Sequence, residues 1–166
     1  MEALAAVFAK ISNYNILNNF IPGAILCVVF KYLVGYDFMN VSPLELIVIF
    51  YFAGMVNGRI GSIIVEWMLK KISWVTFRDH QSFVKAEQKD NKISSLVEVN
   101  NLYRSMITVS FTALFVKLYY VGVEQHWDFG NISEWILLVA MLFLFGAAYR
   151  KQTDYIVSRI DCQINA

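Results

Sequence analysis

Hydrophobic residues gather in four long runs along the chain, and segments richer in charged residues separate them. The runs cover approximately residues 16–36, 46–66, 103–123 and 134–150. A helix needs about 20 residues to cross about 30 Å of hydrocarbon, and the first three runs reach that length. The fourth reaches it when its neighbouring residues extend the helix. The pattern therefore predicts four membrane-spanning helices in a single membrane domain, residues 1–166.

The runs favour helices over strands because their apolar residues are continuous. The segment Ile47–Phe52, for example, contains no alternating polar residue, whereas the strands of a membrane barrel alternate over about 10 residues. Lipid offers no partners to the backbone, so a helix that satisfies its own amide groups is the default element. The predicted fold class is all-α, an integral membrane four-helix bundle.

Two helix starts carry capping signals. Ser42 precedes Pro43 and lies three residues before Glu45, and Asn131 lies three residues before Glu134. In both places the short polar side chain can accept a hydrogen bond from a free backbone amide of the first turn. The glutamate side chain can accept a hydrogen bond from the backbone amide of the capping residue. Pro22, early in the first run, predicts a delayed helix start or a kink.

Composition and charge distinguish the chain from a soluble domain and predict which loops face the cytosol. The chain is 58% hydrophobic and 16% charged, against about 25% charged in an ordinary soluble domain. The loops 37–45 and 124–134 contain no lysine or arginine, whereas ten of the 14 basic residues lie in the other polar segments. The positive-inside rule then places both termini, the loop 70–101 and the tail 150–166 in the cytosol.

Helical spacing of apolar residues continues outside the runs. Two stripes predict amphipathic helices at the N- and C-terminal ends, either on the inner leaflet or against a partner. The stripes consist of Leu4, Val7, Phe8 and Ile11, and of Tyr149, Thr153, Ile156, Val157, Ile160 and Ile164. The fourth span is expected to continue into the tail as one long helix.

Polar residues inside the second run are the first functional candidates, because such residues are costly in a membrane. Asn57, Arg59 and Glu66 form a candidate intramembrane polar site. Two interpretations stay open. In one, Arg59 lines a water-filled path or pairs with an acid of another helix. In the other, its side chain reaches the inner headgroups or pairs with Glu66 two turns later.

Small residues recur every four positions on the same run, at Gly54, Gly58 and Ser62. Rows of this kind let helices approach closely, so they form a candidate helix-packing seam. Packing within one chain and packing between copies both remain open. A candidate partner contact consists of basic residues, with a simple positive-inside loop as the alternative. Its members are Lys85, Lys89, Lys92, Arg150, Lys151 and Arg159.

Enzyme signatures are missing from the sequence. The two histidines, His80 and His126, fall in loops on opposite sides of the predicted membrane, and Cys27 and Cys162 have no metal-site spacing. We therefore expect a protein that is not an enzyme, with no cofactor and no metal. The net charge of +1 also argues against direct nucleic-acid binding.

Three strings carry a family resemblance, namely Tyr14–Gly23, Arg59–Glu66 and Glu98–Arg104. Together they resemble small four-span bacterial membrane proteins of anti-phage defence, in particular the membrane subunits of Kiwa defence systems, over about Tyr14 to Tyr120. The resemblance implies a homo-oligomer such as a tetramer in the inner membrane, with a cytosolic effector partner that acts on nucleic acid. It carries over no catalytic residue.

The expected function is thus that of a non-enzymatic inner-membrane subunit, which senses perturbation of the envelope and scaffolds a cytosolic effector. The alternative is a self-sufficient small ion channel or pore-forming effector, in which several copies of the second span place Asn57 and Arg59 near an axis. An enzyme acting on lipid is disfavoured, because no cluster of acids or histidines lies at one interface.

Overall fold

The computed structural model of the chain describes residues 16–35, 38, 40–123 and 132–165. Within these ranges every regular element is a helix, which confirms the all-α class. We number them α1 to α5 in chain order. They are α1 (Ile16–Val34), α2 (Pro43–Lys71), α3 (His80–Lys89), α4 (Lys92–Val123) and α5 (Ile132–Asn165).

Three helical stretches among the described residues are long and apolar enough to cross a membrane. They are Ile16–Val34, Pro43–Lys71 and Ile132–Ile164, which contain most of the first, second and fourth predicted spans. The remaining run, 103–123, forms the second part of the 32-residue helix α4. The three long apolar helices are therefore consistent with a multi-pass membrane protein.

The start of α2 confirms the predicted capping box. The Ser42 hydroxyl accepts a hydrogen bond from the Glu45 amide at 3.4 Å, and the Glu45 carboxylate accepts one from the Ser42 amide at 2.9 Å. Two amides that have no partner inside the helix are thereby satisfied. Asn131, which begins the second predicted box, lies outside the described residues.

Near Pro22 the helix changes its winding and does not break. Residues Ile16–Phe20 form a π-helical turn, and the α-helical part of α1 runs from Ile21 to Val34. Proline has no amide to donate, so the usual bond to the carbonyl four residues earlier is missing there. A local π turn is one way in which a helix accommodates this loss.

Helices α1 and α2 approach each other backbone to backbone. A Cβ atom on Gly54 would lie 1.7 Å from the Asn19 carbonyl oxygen, and one on Gly23 would lie 1.8 Å from the Phe50 carbonyl oxygen. Only hydrogen atoms fit at these two positions. The pair is therefore held by close van der Waals contact, as small residues permit between membrane helices.

Helix α4 is the centre of the bundle and contacts each of the other four helices. Six consecutive residues, from Ser105 to Ser110, are buried. The hydroxyls of Thr108 and Ser110 donate to carbonyls one turn earlier, which removes the cost of burying them. A helix covered by protein needs fewer apolar residues than one that faces lipid, which explains the polar character of this segment.

One end of the bundle is a small helical layer with its own apolar core. Helix α3 packs there against the beginning of α4 and the end of α5, around Ala86, Ile93, Ile156 and Ile160. We call this layer the polar end; it consists of α3 and residues 92–101 and 150–165. Helix α5 is continuous from Ile132 to Asn165, so the expected single long helix is confirmed.

The predicted C-terminal stripe supplies part of that core. Tyr149, Thr153, Ile156 and Ile160 are buried, whereas Ile164, at the end of the stripe, is exposed. The amphipathic face of the tail is thus used inside the chain, against α3 and α4. The stripe predicted in the N-terminal segment, from Leu4 to Ile11, lies outside the described residues.

Candidate functional site

A polar cleft lies where the apolar part of the bundle meets the polar end, and we call it the junction cleft. Its volume is about 330 Å³. Residues of α2, of the linker that precedes α3, and of α3, α4 and α5 line it. Its polar lining consists of Glu66, Lys70, Arg78, His80, Asn100, Asn101 and Arg104. Apolar side chains of the polar end complete the wall, so this cleft joins the two parts of the molecule.

Glu66 is the acidic centre of the junction cleft. One carboxylate oxygen accepts a bond from the Arg104 guanidinium at 2.5 Å, and the other lies 2.7 Å from the Lys70 amine. The Arg104 contact joins α4 to α2, whereas Lys70 is one turn away on the same helix. Arg104 and Glu66 are both only partly exposed, so water screens this contact less than an ordinary surface pair.

The interpretation in which Arg59 pairs with Glu66 is therefore wrong. The two residues are seven positions apart, a spacing that puts them on one face of a regular α-helix. The π-helical turn Gly61–Val65 lies between them. Its i→i+5 bonding changes the rotation per residue, and the Glu66 carboxylate pairs with Arg104 and Lys70.

The structure separates the three residues of the candidate polar site. Asn57 is buried between α2 and α4, where its side-chain amide donates to the Ser105 carbonyl at 3.0 Å. Its carbonyl oxygen has no hydrogen-bond partner among the described residues. Arg59 is exposed on the outer surface of α2. Asn57 thus faces the inside of the protomer, and only Arg59 is open to the surroundings.

The candidate packing seam is used mainly inside the chain. Gly54 meets α1 at Asn19, and the Ser62 hydroxyl donates to the Arg59 carbonyl of its own helix. Gly58 has more space, since its nearest neighbour is the Ser105 hydroxyl, 4.0 Å from a Cβ built on it. Gly61, one residue before Ser62, has less space, since a Cβ built on it would lie 2.5 Å from the Thr108 hydroxyl of α4.

Ion pairs fasten α3 and its flanking residues to α5. The Arg78 guanidinium donates two hydrogen bonds to the Asp161 carboxylate, at 2.7 and 2.6 Å. Asp90, at the end of α3, accepts from Arg159. This bond holds the pKa of Asp90 below its usual range. Both contacts join the ends of the α3 segment to α5, so α3 has a defined position.

Three of the six candidate partner-contact residues already have contacts within the chain. The Lys89 amine donates to the Gln163 carbonyl at 2.8 Å, Arg159 pairs with Asp90, and Arg150 lies over the Trp74 ring at 4.9 Å. The others are exposed and form no ion pair with a described residue. These three are Lys85, Lys92 and Lys151.

Lys117 has a role that the sequence did not indicate. It lies in the apolar run 103–123, yet it is buried and pairs with Glu134 at the start of α5. Its amine also lies 5.1 Å from the centre of the Trp135 ring. The contact joins α4 to α5 at the end of the bundle opposite the junction cleft.

The described residues contain no group of three or more histidine, cysteine, aspartate or glutamate side chains placed to hold a metal ion. Comparison of the chain with protein-family models, with curated proteins and with solved structures yields no match.

Proposed function

We propose that the protein is a non-enzymatic subunit of a bacterial inner-membrane defence complex, which senses perturbation of the envelope and scaffolds a cytosolic effector. In this proposal 103–123 forms a fourth span, and both termini and the polar end lie in the cytosol. Copies of the chain associate as a homo-oligomer. The resemblance of three sequence strings to membrane subunits of anti-phage systems motivates the biological setting.

One observation carries the mechanical part of the proposal. Helices α4 and α5 each continue without interruption from the apolar part of the bundle into the polar end. A continuous helix transmits a tilt or shift along its whole length, because its backbone bonds resist local bending. A change in the packing of the spans would therefore move the polar end as a unit.

The cross-helix contacts support this coupling. The Glu66–Arg104 pair fixes α2 to α4 at the junction cleft, and the Lys117–Glu134 pair fixes α4 to α5 at the far end. Motion in one span is then passed to its neighbours through paired charges. A signal read in the membrane can reach α3, which rests on α4 and α5.

Exposed lysines supply the proposed contact to the effector. Lys85, Lys92 and Lys151 are exposed on the polar end and form no ion pair with a described residue. An acidic surface on a soluble protein would complement them, since opposite potentials steer association and set orientation. The remaining basic candidates already serve the fold of the chain.

The test is affinity purification of the tagged full-length protein in a mild detergent, followed by native mass measurement and identification of bound proteins. We expect an oligomer carrying a soluble protein. Charge reversal at Lys85, Lys92 and Lys151, each to glutamate, should release the partner and leave the oligomer mass unchanged. Matched arginine substitutions at the same positions should retain the partner. A pure oligomer without a partner would contradict the scaffold function.

That contrary result would favour the second candidate, a self-sufficient ion channel. Its support is the exposed position of Arg59 on α2, where a neighbouring copy could face it. Asn57 does not support it, because this side chain is buried inside the protomer. Conductance of the purified oligomer in planar bilayers tests the channel directly: Arg59→Leu should abolish it without dissociating the oligomer.

A further inference from the structure

A second polar cavity opens beside α2, and we call it the arginine cavity; it shares Asn101 and Arg104 with the junction cleft. Its volume is about 350 Å³. Helices α1, α2 and α4 contribute side chains to its wall. The polar ones include Asn19, Tyr51, Arg59, Ser62, Asn101 and Arg104. The lining therefore offers many hydrogen-bond donors within one small space.

The arginine cavity has an excess positive charge, that of Arg59, because Glu66 pairs with the other arginine, Arg104. Two arginines line it, and none of its lining residues is acidic. Arg104 gives one terminal nitrogen to Glu66, but its Nε is buried and has no hydrogen-bond partner among the described residues. Arg59 forms no ion pair within the described part of the chain. An anion in the cavity would supply the counter-charge that Arg59 lacks, next to the guanidinium group of Arg104.

An apolar groove continues from this cavity along the outer face of α2. Its wall consists of Met55, Val56, Ile60, Ile63 and Ile64 together with Arg59. Met55 and Arg59 line both spaces, so the groove and the cavity adjoin. A ligand that occupies both must carry an anionic group next to a hydrocarbon chain.

We propose that the arginine cavity binds the phosphate of an anionic phospholipid, whose acyl chain lies in the adjoining groove. Guanidinium groups match the geometry of phosphate oxygens and bind them with two parallel bonds. Arg59 precedes Glu66 by about 10 Å along the helix axis at 1.5 Å per residue, and its long side chain can reach towards the headgroups. A free phosphate would leave the apolar groove unused, so a lipid is the better match.

Native mass measurement of the full-length protein in mild detergent tests this site. The probes are dioleoyl phosphatidylglycerol and dioleoyl phosphatidylcholine, which share acyl chains and differ in net charge. We expect the wild-type protein to retain the anionic lipid in preference to the zwitterionic one. Arg59→Gln should weaken that retention about tenfold. The matched control is Lys71→Gln, an exposed cation on the same helix outside the cavity, which should behave as wild type.

A second variant, placed in the apolar groove, keeps the proposal testable if Arg59→Gln fails to fold. Val56→Trp keeps both arginines and fills the apolar groove, so it should reduce retention of the anionic lipid as well. Equal retention of the two lipids by wild type, or full retention by folded Arg59→Gln, would overturn the proposal. Displacement of the lipid by millimolar inorganic phosphate would also overturn it, because the cavity would then prefer a free anion.

This inference is independent of the proposed effector. Lipid retention is measured on the purified oligomer, whereas the scaffold function depends on capture of a soluble protein through the polar end. Loss of lipid preference with an intact effector complex would contradict only the lipid site. The opposite pattern would contradict only the scaffold.

Discussion

The Arg104 guanidinium lies 2.5 Å from the Glu66 carboxylate, and this contact ties α4, the central helix, to α2 at the junction cleft. Both side chains are more than four-fifths covered, with exposed fractions of 18% and 19%. A charge that loses its partner in such a place keeps little contact with water. The pair therefore matters more for stability than the pairs on the outer surface.

Removal of the Glu66 charge should show how much the pair with Arg104 contributes to stability. Glu66→Gln leaves Arg104 partly buried without a counter-charge, so we expect a loss of roughly 1–3 kcal/mol in the free energy of unfolding. Lys70→Gln is the matched control, because Lys70 is half exposed and its pair should contribute less than about 1 kcal/mol. Denaturant unfolding in detergent, followed by tryptophan fluorescence, measures both. Equal losses in the two variants would contradict the special role of the Arg104 contact.

Two glycines of the packing seam on α2, Gly54 and Gly58, should respond differently to substitution by alanine. Gly54→Ala places a methyl group against the Asn19 carbonyl, so α1 and α2 must separate, and we expect a loss of about 1–3 kcal/mol. Gly58→Ala meets nothing closer than 4.0 Å and replaces a poor helix former, so stability should be unchanged or rise by up to about 1 kcal/mol. Thermal unfolding of the two variants measures the difference.

The Gly58→Ala variant also tests whether the packing seam lies between copies of the chain. If the row serves only packing inside the chain, Gly58→Ala should leave the native mass of the oligomer unchanged. Dissociation of the oligomer by Gly58→Ala, with the protomer still folded, would instead place Gly58 between copies. Size-exclusion chromatography with light scattering separates these outcomes.

At the opposite end of the bundle, the Lys117–Glu134 pair is asymmetric in exposure. The Lys117 side chain is 10% exposed and that of Glu134 is 46% exposed. Glu134→Gln leaves a covered amine without its counter-charge, so it should cost roughly 1–3 kcal/mol. Lys117→Met leaves a carboxylate that water can reach, so it should cost less than about 1 kcal/mol. Unfolding midpoints in detergent would refute this order if Lys117→Met were the less stable variant.

Much of this architecture follows from the sequence because helix starts and apolar faces are local properties. The hydrophobic runs indicated the helices, the spacing of Ser42 and Glu45 indicated a cap, and the stripe from Tyr149 to Ile160 indicated a buried face. All three depend on neighbours a few positions apart. The long continuous α5 follows from the same helical spacing across residue 150.

The pairing of charges could not be predicted in the same way. Glu66 and Arg104 are 38 positions apart, and which helix faces which is a tertiary property. The π-helical turn Gly61–Val65 also shifted the register of α2, and no residue in that stretch marks such a turn in the sequence. The buried place of Asn57 likewise depends on its contact with α4. The sequence therefore named residues of the candidate site but not their partners.

Acidification should loosen α3 from the rest of the polar end. The bond from Arg159 holds the pKa of Asp90 below its usual range, and bonds from Ser82 to the Asp79 cap lower the pKa of that carboxyl. A carboxylate whose pKa is lower in the folded state stabilises the fold above its unfolded pKa, about 3.9, and this stabilisation disappears as the pH falls further. Hydrogen exchange across residues 80–89, corrected for intrinsic rates, should therefore show lower protection at about pH 3 than at about pH 6. Asp90→Asn should lose protection already at about pH 6 and respond less to acid, whereas equal protection of wild type at both pH values would refute the role of these carboxylates.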